Sequence, residues 1–220
     1  MVAFLLGGLA ITIQLLVASL VVGLALGLTL AVARLSRYLP LRWLATAYIE
    51  TMRGIPLLVL LLFIYFGLQG IVGVAWRIPE FWAATAAFGL CYGAYLAEVF
   101  RAGVESVDVG QTEAARALGL SSGQTLRHIV LPQAVRNILP ALVNESVALL
   151  KDTSLASVIA IPEITQRARL EVARTYDTFR VWGSVAVIYL LLTFGLSLVA
   201  RRLEQRGRRV GTHDSRSESL

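Results

Sequence analysis

The sequence predicts an all-α membrane protein with five transmembrane helices and one helical hairpin outside the bilayer. Three observations predict it. Hydrophobic residues make up 57% of the 220 and charged residues only 15%, against about 25% charged in a soluble domain. Mean hydropathy is +0.71. No charge occurs from Val2 to Ala33. A chain this apolar cannot hide its side chains in one aqueous core, so lipid must be part of its solvent. The formal charge of +6 then reads as arginines at membrane boundaries rather than as a nucleic-acid surface, and no nucleic-acid partner is expected. The single cysteine, Cys91, has no partner for an internal disulfide or a cysteine-cluster metal site.

The first span covers about residues 4–33, one long or tilted helix at roughly 20 residues per crossing. Its length and uncharged start, Met1-Val2-Ala3-Phe4, do not fit a secretory signal. The second covers about 43–69 within an apolar run that reaches Trp76, and Gly54 with Pro56 predicts a kink there. The third covers about 81–101 and the fifth about 180–202. The fourth, about 137–160, is apolar but interrupted by Glu145, Lys151 and Asp152, so it is expected to be screened from lipid. Gly23-x-x-x-Gly27 and Gly89-x-x-x-Gly93 predict close helix packing. The spans form one domain, 1–203, and the polar stretch 204–220 is expected to be a disordered cytoplasmic tail.

Arginines near the helix ends set the orientation. Arg34, Arg37 and Arg42 follow the first span; Arg201, Arg202, Arg206, Arg208 and Arg209 follow the fifth. With five spans these two regions share a side, which their charge makes cytoplasmic, so the N-terminus lies outside. The loop from Glu163 to Arg180 works against this. It places Arg167, Arg169, Arg174 and Arg180 outside, against Glu163, Glu171 and Asp177.

Between the third and fourth spans, about 108–132, the chain reads as soluble. Asp108 is an N-cap for a helix running through Ala117, and Gly119 fits the left-handed position that ends it. Ser121 and Gln124 have capping-box spacing for a second helix. That helix offers Leu126, Ile129 and Val130 on one side and is expected to stop at Leu131-Pro132. Ala114 and Ala115 give a low surface over which another protein can close, with Glu113 at its rim. An amphipathic surface hairpin without a partner accounts for the same pattern.

The run Glu113-Ala114-Ala115-x-x-x-Gly119, followed by Ile129-x-Leu131-Pro132, resembles the EAA loop of ABC-importer permeases. Further motifs resemble the polar amino-acid branch, the histidine/glutamine permease type of the binding-protein-dependent transport inner-membrane components. They are Tyr48-Ile49-Glu50-x-x-Arg53-Gly54-x-Pro56, Ala94-Tyr95-x-Ala97-Glu98-x-x-Arg101-x-Gly103, Gly110-Gln111, Leu131-Pro132-Gln133-Ala134 and Lys151-Asp152-Thr153-Ser154-Leu155. Ile55 stands where that branch commonly has threonine. The resemblance implies a type I importer permease in the bacterial inner membrane, with Glu113, Ala114, Ala115, Gly119, Leu131 and Pro132 as the ATPase-coupling residues. It also implies a second permease subunit (identical or related), two cytoplasmic ABC ATPases and an extracytoplasmic amino-acid-binding protein.

The ATP must be used by a partner, and no cofactor is expected on this chain. A phosphate-binding P-loop needs Gly-x-x-x-x-Gly-Lys-Ser/Thr. The only lysine, Lys151, has Glu145 and Leu150 at the glycine positions and Asp152 after it. No metal site is expected either, since His128 and His213 are far apart in the sequence.

Within the fourth span Asn137, Asn144 and Lys151 recur every seven residues, about two helical turns, so they share a face with Glu145 and Asp152 alongside. This face lines a translocation route, closes against a twin subunit, or holds helices together as a structural ion network. Thr153 and Ser154 are candidates to cap a break in the helix. Glu50 and Arg53, three residues apart, fit a structural pair better than a ligand site. Two other functions stay open at this point: an ion-coupled secondary carrier relaying protons through Glu145, Lys151 and Asp152, and a non-transporting membrane scaffold.

Overall fold

The computed structural model describes residues 1–68 and 78–212, with the backbone alone for 199–212. Among the described residues every regular element is helical. A short α1 (Val2–Leu6) leads into α2 (Leu9–Arg34), and α5 (Glu80–Glu105) packs along α2 in the most extensive helix pairing among the described residues. The two glycine pairs found in the sequence face each other across this seam. A Cβ on Gly27 would sit 2.8 Å from the Leu96 Cβ and 3.0 Å from the Gly93 carbonyl oxygen. One on Gly89 would sit 2.5 Å from Val22. Only hydrogen at these positions lets the backbones come so close.

Between them in the chain lies a bent helix pair. Helix α3 (Leu39–Gly54) ends where Ile55 turns extended, φ −95° and ψ 128°, and α4 (Leu57–Leu62) follows at an angle of 101°. The cause is local: the ring of Pro56 disfavours helical backbone at the residue before it. The expected kink is thus a full break. A π-turn, Phe63–Gly67, continues α4; the remainder of the apolar run, including Trp76, lies outside the described residues.

Among the described residues three helical segments are long and apolar enough to cross a membrane, Val2–Arg34, Glu80–Glu105 and Thr178–Leu198, and the bent α3–α4 pair has the length and composition for a fourth. The stretch expected to be the fourth span, about 137–160, falls on α8 (Leu131–Asp152), which starts earlier and ends sooner than expected. Its 22 residues make about 33 Å of helix, yet its polar face keeps it from qualifying on composition. It packs between α5 and α10 (Thr178–Thr212), consistent with a span shielded from lipid. Leu149 and Leu150 join Leu15, Leu61, Phe88 and Tyr92 in the main core.

After Asp152 the chain tightens into a 3₁₀ turn, Thr153–Ile159, and Ala160 takes a left-handed backbone, φ 62°. Then α9 (Ile164–Thr175) lies across this end of the bundle against α1 and α10. The backbone of α10 runs on to Thr212, past the expected span end, because the stretch from Arg201 is rich in good helix formers. Residues 213–220, with His213 and the end of the expected tail, lie outside the described residues.

Candidate functional site

The segment between α5 and α8 folds as the local chemistry dictates. The Asp108 carboxylate accepts from the Gly110 N–H at 2.7 Å and starts α6 (Val109–Ala117). Gly119 ends it with φ +82°, a conformation glycine adopts without strain. A full capping box starts α7 (Ser122–Thr125). The Gln124 N–H donates to the Ser121 hydroxyl, and the Ser121 N–H donates to the Gln124 side chain at 2.9 Å.

The expected stop at Leu131-Pro132 does not occur. A π-turn, Leu126–Val130, follows α7, its last bond running from the Leu131 N–H to the Leu126 carbonyl, and α8 begins directly. Pro132 lies in the first turn of α8, where a missing N–H costs little. The widened turn absorbs the irregularity, so the helical chain runs unbroken from Ser122 to Asp152. Leu131 and Pro132 are a joint within it.

The hairpin tip also differs from expectation at one residue. Ala115 turns inward and is 4% exposed, held under the hairpin. Glu113 and Ala114 are exposed, as is Leu118 at 81%. The low surface is therefore Glu113, Ala114 and Leu118 around the Gly119 bend.

The second cluster lies midway along α5. Tyr92 donates its hydroxyl to Asp152 at 2.8 Å. The Arg53 guanidinium stands 5.5 Å from the Tyr95 ring centre, within cation–π range. Glu145, half-buried on α8, lies within electrostatic reach of Arg53 and Asp152. Arg53, Tyr92, Tyr95, Glu145 and Asp152 thus bring together α3, α5 and α8 at the level of the 101° break. The expected Glu50–Arg53 pair is not formed: Arg53 faces Tyr95 instead, and Glu50 is exposed. Asn144 and Lys151 are exposed, and Lys151 has no ion pair among the described residues. Thr153 donates to the Leu150 carbonyl at 2.7 Å, satisfying a helix-end acceptor, with Ser154 half-buried beside it.

Sequence reasoning left the role of one further group open and missed another. At the hairpin end Glu98 bridges Arg34 of α2 and Arg101 of its own helix, the latter at 2.8 Å, and Arg101 reaches on to Glu105. At the opposite end Glu163 is fully buried. Its carboxylate accepts from the backbone N–H of Thr165 at 2.8 Å and Gln166 at 2.7 Å, and from the Tyr189 hydroxyl at 3.1 Å. Burial pushes this carboxyl above the usual glutamate range, and the hydrogen bonds offset only part of the rise. Its one local signal was an acidic residue just ahead of a helix start.

The arginines of the loop after α8 are bonded within the protein. Arg167 donates to the Pro162 and Phe4 carbonyls, Arg169 donates to the Ser157 carbonyl, and Arg174 and Arg180 pair with Glu171 and Asp177. Arg167 and Arg169 thereby tie α9 to α1 and to the turn after α8.

Residues 23–209 match the family of binding-protein-dependent transport system inner membrane components. The arginine transport system permease protein ArtQ of Bacillus subtilis (strain 168) is 38% identical over 205 residues, 93% of each chain. The glutamine transport system permease protein GlnP of Escherichia coli (strain K12) is 41% identical over 162 residues, 74% of each chain. Among solved structures, an amino acid ABC transporter crystallised with histidines superposes with a TM-score of 0.87 at 38% identity, covering 93% of this chain and 94% of that one. The inward-facing MetNI methionine ABC transporter shares the fold, with a TM-score of 0.69 at 21% identity over 94% and 95% of the two chains. The chain belongs to the inner-membrane-component family of binding-protein-dependent transport systems. It is a multi-pass permease subunit of the amino-acid ABC importer type.

Proposed function

We propose that this permease imports a polar amino acid, powered by two cytoplasmic ABC ATPases and supplied by an extracytoplasmic binding protein, and pairs with a second permease subunit. The N-terminus and α9 lie outside; the hairpin and the C-terminus lie in the cytoplasm. Arginines at Arg34, Arg37, Arg42 and beyond Ala200 support this orientation. Closure of the ATPases pushes the tip at Glu113, Ala114 and Leu118, and the displacement opens the bundle outward. Hydrolysis returns it inward, which is alternating access by population shift. Asn144, Lys151 and the Arg53–Glu145–Asp152 cluster line the route or the seam with the second subunit.

The single observation that carries the reading is the hairpin: capped at both helices, continuous with α8, and exposing a small charged tip. Glu113→Lys reverses the tip charge and Gly119→Asp strains the bend. Both variants are expected to insert normally and lose uptake by about a hundredfold, comparable to losing an interface hot spot. Uptake in proteoliposomes, with insertion followed by protease protection, checks this. Normal ATPase assembly together with normal uptake in both variants would overturn it.

A further inference from the structure

Helix α8 packs along α5, and near the hairpin the two backbones come close at Gly103. Gly103 is buried in α5, and a Cβ there would lie 2.1 Å from Ile138 Cγ1 and 3.4 Å from the Ala134 carbonyl oxygen. Ala134 is itself fully buried. Just beyond, the Ser106 hydroxyl donates to the Gly103 carbonyl at 2.8 Å and accepts from the Asn137 amide at 2.9 Å. One glycine and one small polar relay therefore hold two long helices together at this level.

Open space flanks the contact. A groove of about 430 Å³ lies between α5 and α8, lined by residues that include Glu98, Ala102, Asn137 and Ala141. A second, of about 360 Å³, lies under the hairpin, lined by Val104, Val107, Thr112, Thr125 and Val130 among others. Both grooves open to the surface, so the tight contact at Gly103 has room on either side, which is the geometry of a bearing. The unbroken helical chain crosses it near residue 136, with about 20 Å of helix toward Ser122 and about 20 Å toward Lys151.

We propose that Gly103 is a positioning residue for transport: it is the bearing on which α8 rocks, so that a push on the hairpin becomes a swing of the face carrying Asn144 and Lys151. This rests on the hairpin receiving the thrust of the ATPases. A methyl group at 103 jams the bearing against Ile138. Shortening Ile138 frees it again.

The test uses the complete transporter in proteoliposomes and measures substrate imported per ATP hydrolysed. Gly103→Ala is expected to lower that ratio about tenfold, in line with overpacking at a tight contact, while basal ATP hydrolysis and subunit assembly hold. Ile138→Ala in the same chain is expected to restore the ratio to within about twofold of the parent, because room is returned where the methyl group was added. A simple packing defect lowers the amount of assembled complex, not the ratio. Gly103→Ala with an unchanged ratio overturns the proposal, and so does a double variant no better than the single one. Glu113→Lys and Gly103→Ala, each made alone in the otherwise unchanged complex, separate the two levels. If Glu113→Lys leaves its coupling intact, the hairpin reading fails first; if Glu113→Lys uncouples it and Gly103→Ala does not, the bearing alone fails.

Discussion

The two ends of the bundle hold their charges in opposite ways. At the hairpin end Arg34, Glu98, Arg101 and Glu105 form an ion chain between α2 and α5 with side chains from 19% to 52% exposed. At the other end Glu163 is sealed from solvent and held by two backbone N–H groups and Tyr189. A partly exposed ion chain gains little from each pair and can be remade at small cost. A buried, fully bonded carboxylate is costly to disturb, because its partners have nothing else to bond. One end is therefore suited to move with each cycle and the other to stay fixed.

Four outcomes break or sharpen this contrast. The largest is at Glu163. Glu163→Ala removes the cap of α9 and strands its donors, and is expected to destabilise the protein by about 3 kcal/mol, read as a lower melting temperature in detergent. A loss under about 1 kcal/mol would mean this end is not fixed. Next is the pH profile. Because the native Glu163 carboxyl is raised above its unfolded value, its contribution is fully present below about pH 4.3 and is lost as pH rises through the native value. The melting temperature of the parent, measured relative to Glu163→Gln, is expected to fall across that window; a rise would reverse the assignment.

Smaller effects belong to the other end. Glu98→Gln keeps an acceptor for Arg34 and Arg101 but removes its charge, and is expected to cost about 1 kcal/mol, shrinking as salt is added. A loss as large as that of Glu163→Ala would erase the difference between the ends. Smallest is Ser121→Ala, which opens the capping box for about 1 kcal/mol or less, confined to faster amide exchange at residues 121–125. Global unfolding in that variant would show that the hairpin is not a separable unit.

What was legible in the sequence was what is local. Asp108, Gly119 and the Ser121–Gln124 box act within three residues of themselves, so their roles were readable without a fold. The membrane class followed from the charge-free runs. The break at Ile55 was foreseen in kind from Gly54 and Pro56, though not its angle, which depends on packing across the bundle. Pro132 misled because a proline in a first helical turn and a proline that ends a helix look alike in sequence; the π-turn before it decides between them. Glu163 was missed because its partner Tyr189 lies 26 residues away, and the role of Glu98 stayed open because Arg34 lies 64 residues away. The Glu50–Arg53 expectation failed from the opposite bias: a neighbour at helical spacing was preferred over Tyr95, 42 residues on, which the fold brings closer.

The π-turn at Leu126–Val130 also sets rotational phase. It takes up one residue more than an ordinary turn, and each residue of α-helix turns the chain by about 100°. Wound as plain helix, the same residues would swing Asn137, Asn144 and Lys151 about a quarter-turn around the axis relative to the hairpin and aim that stripe at a different neighbour. Removing one residue inside the turn would abolish the irregularity yet leave the faces aligned, whereas adding one would misdirect the whole downstream stripe. A single widened turn thus keeps the address of the polar face, and the chain tolerates a change of length there in one direction only.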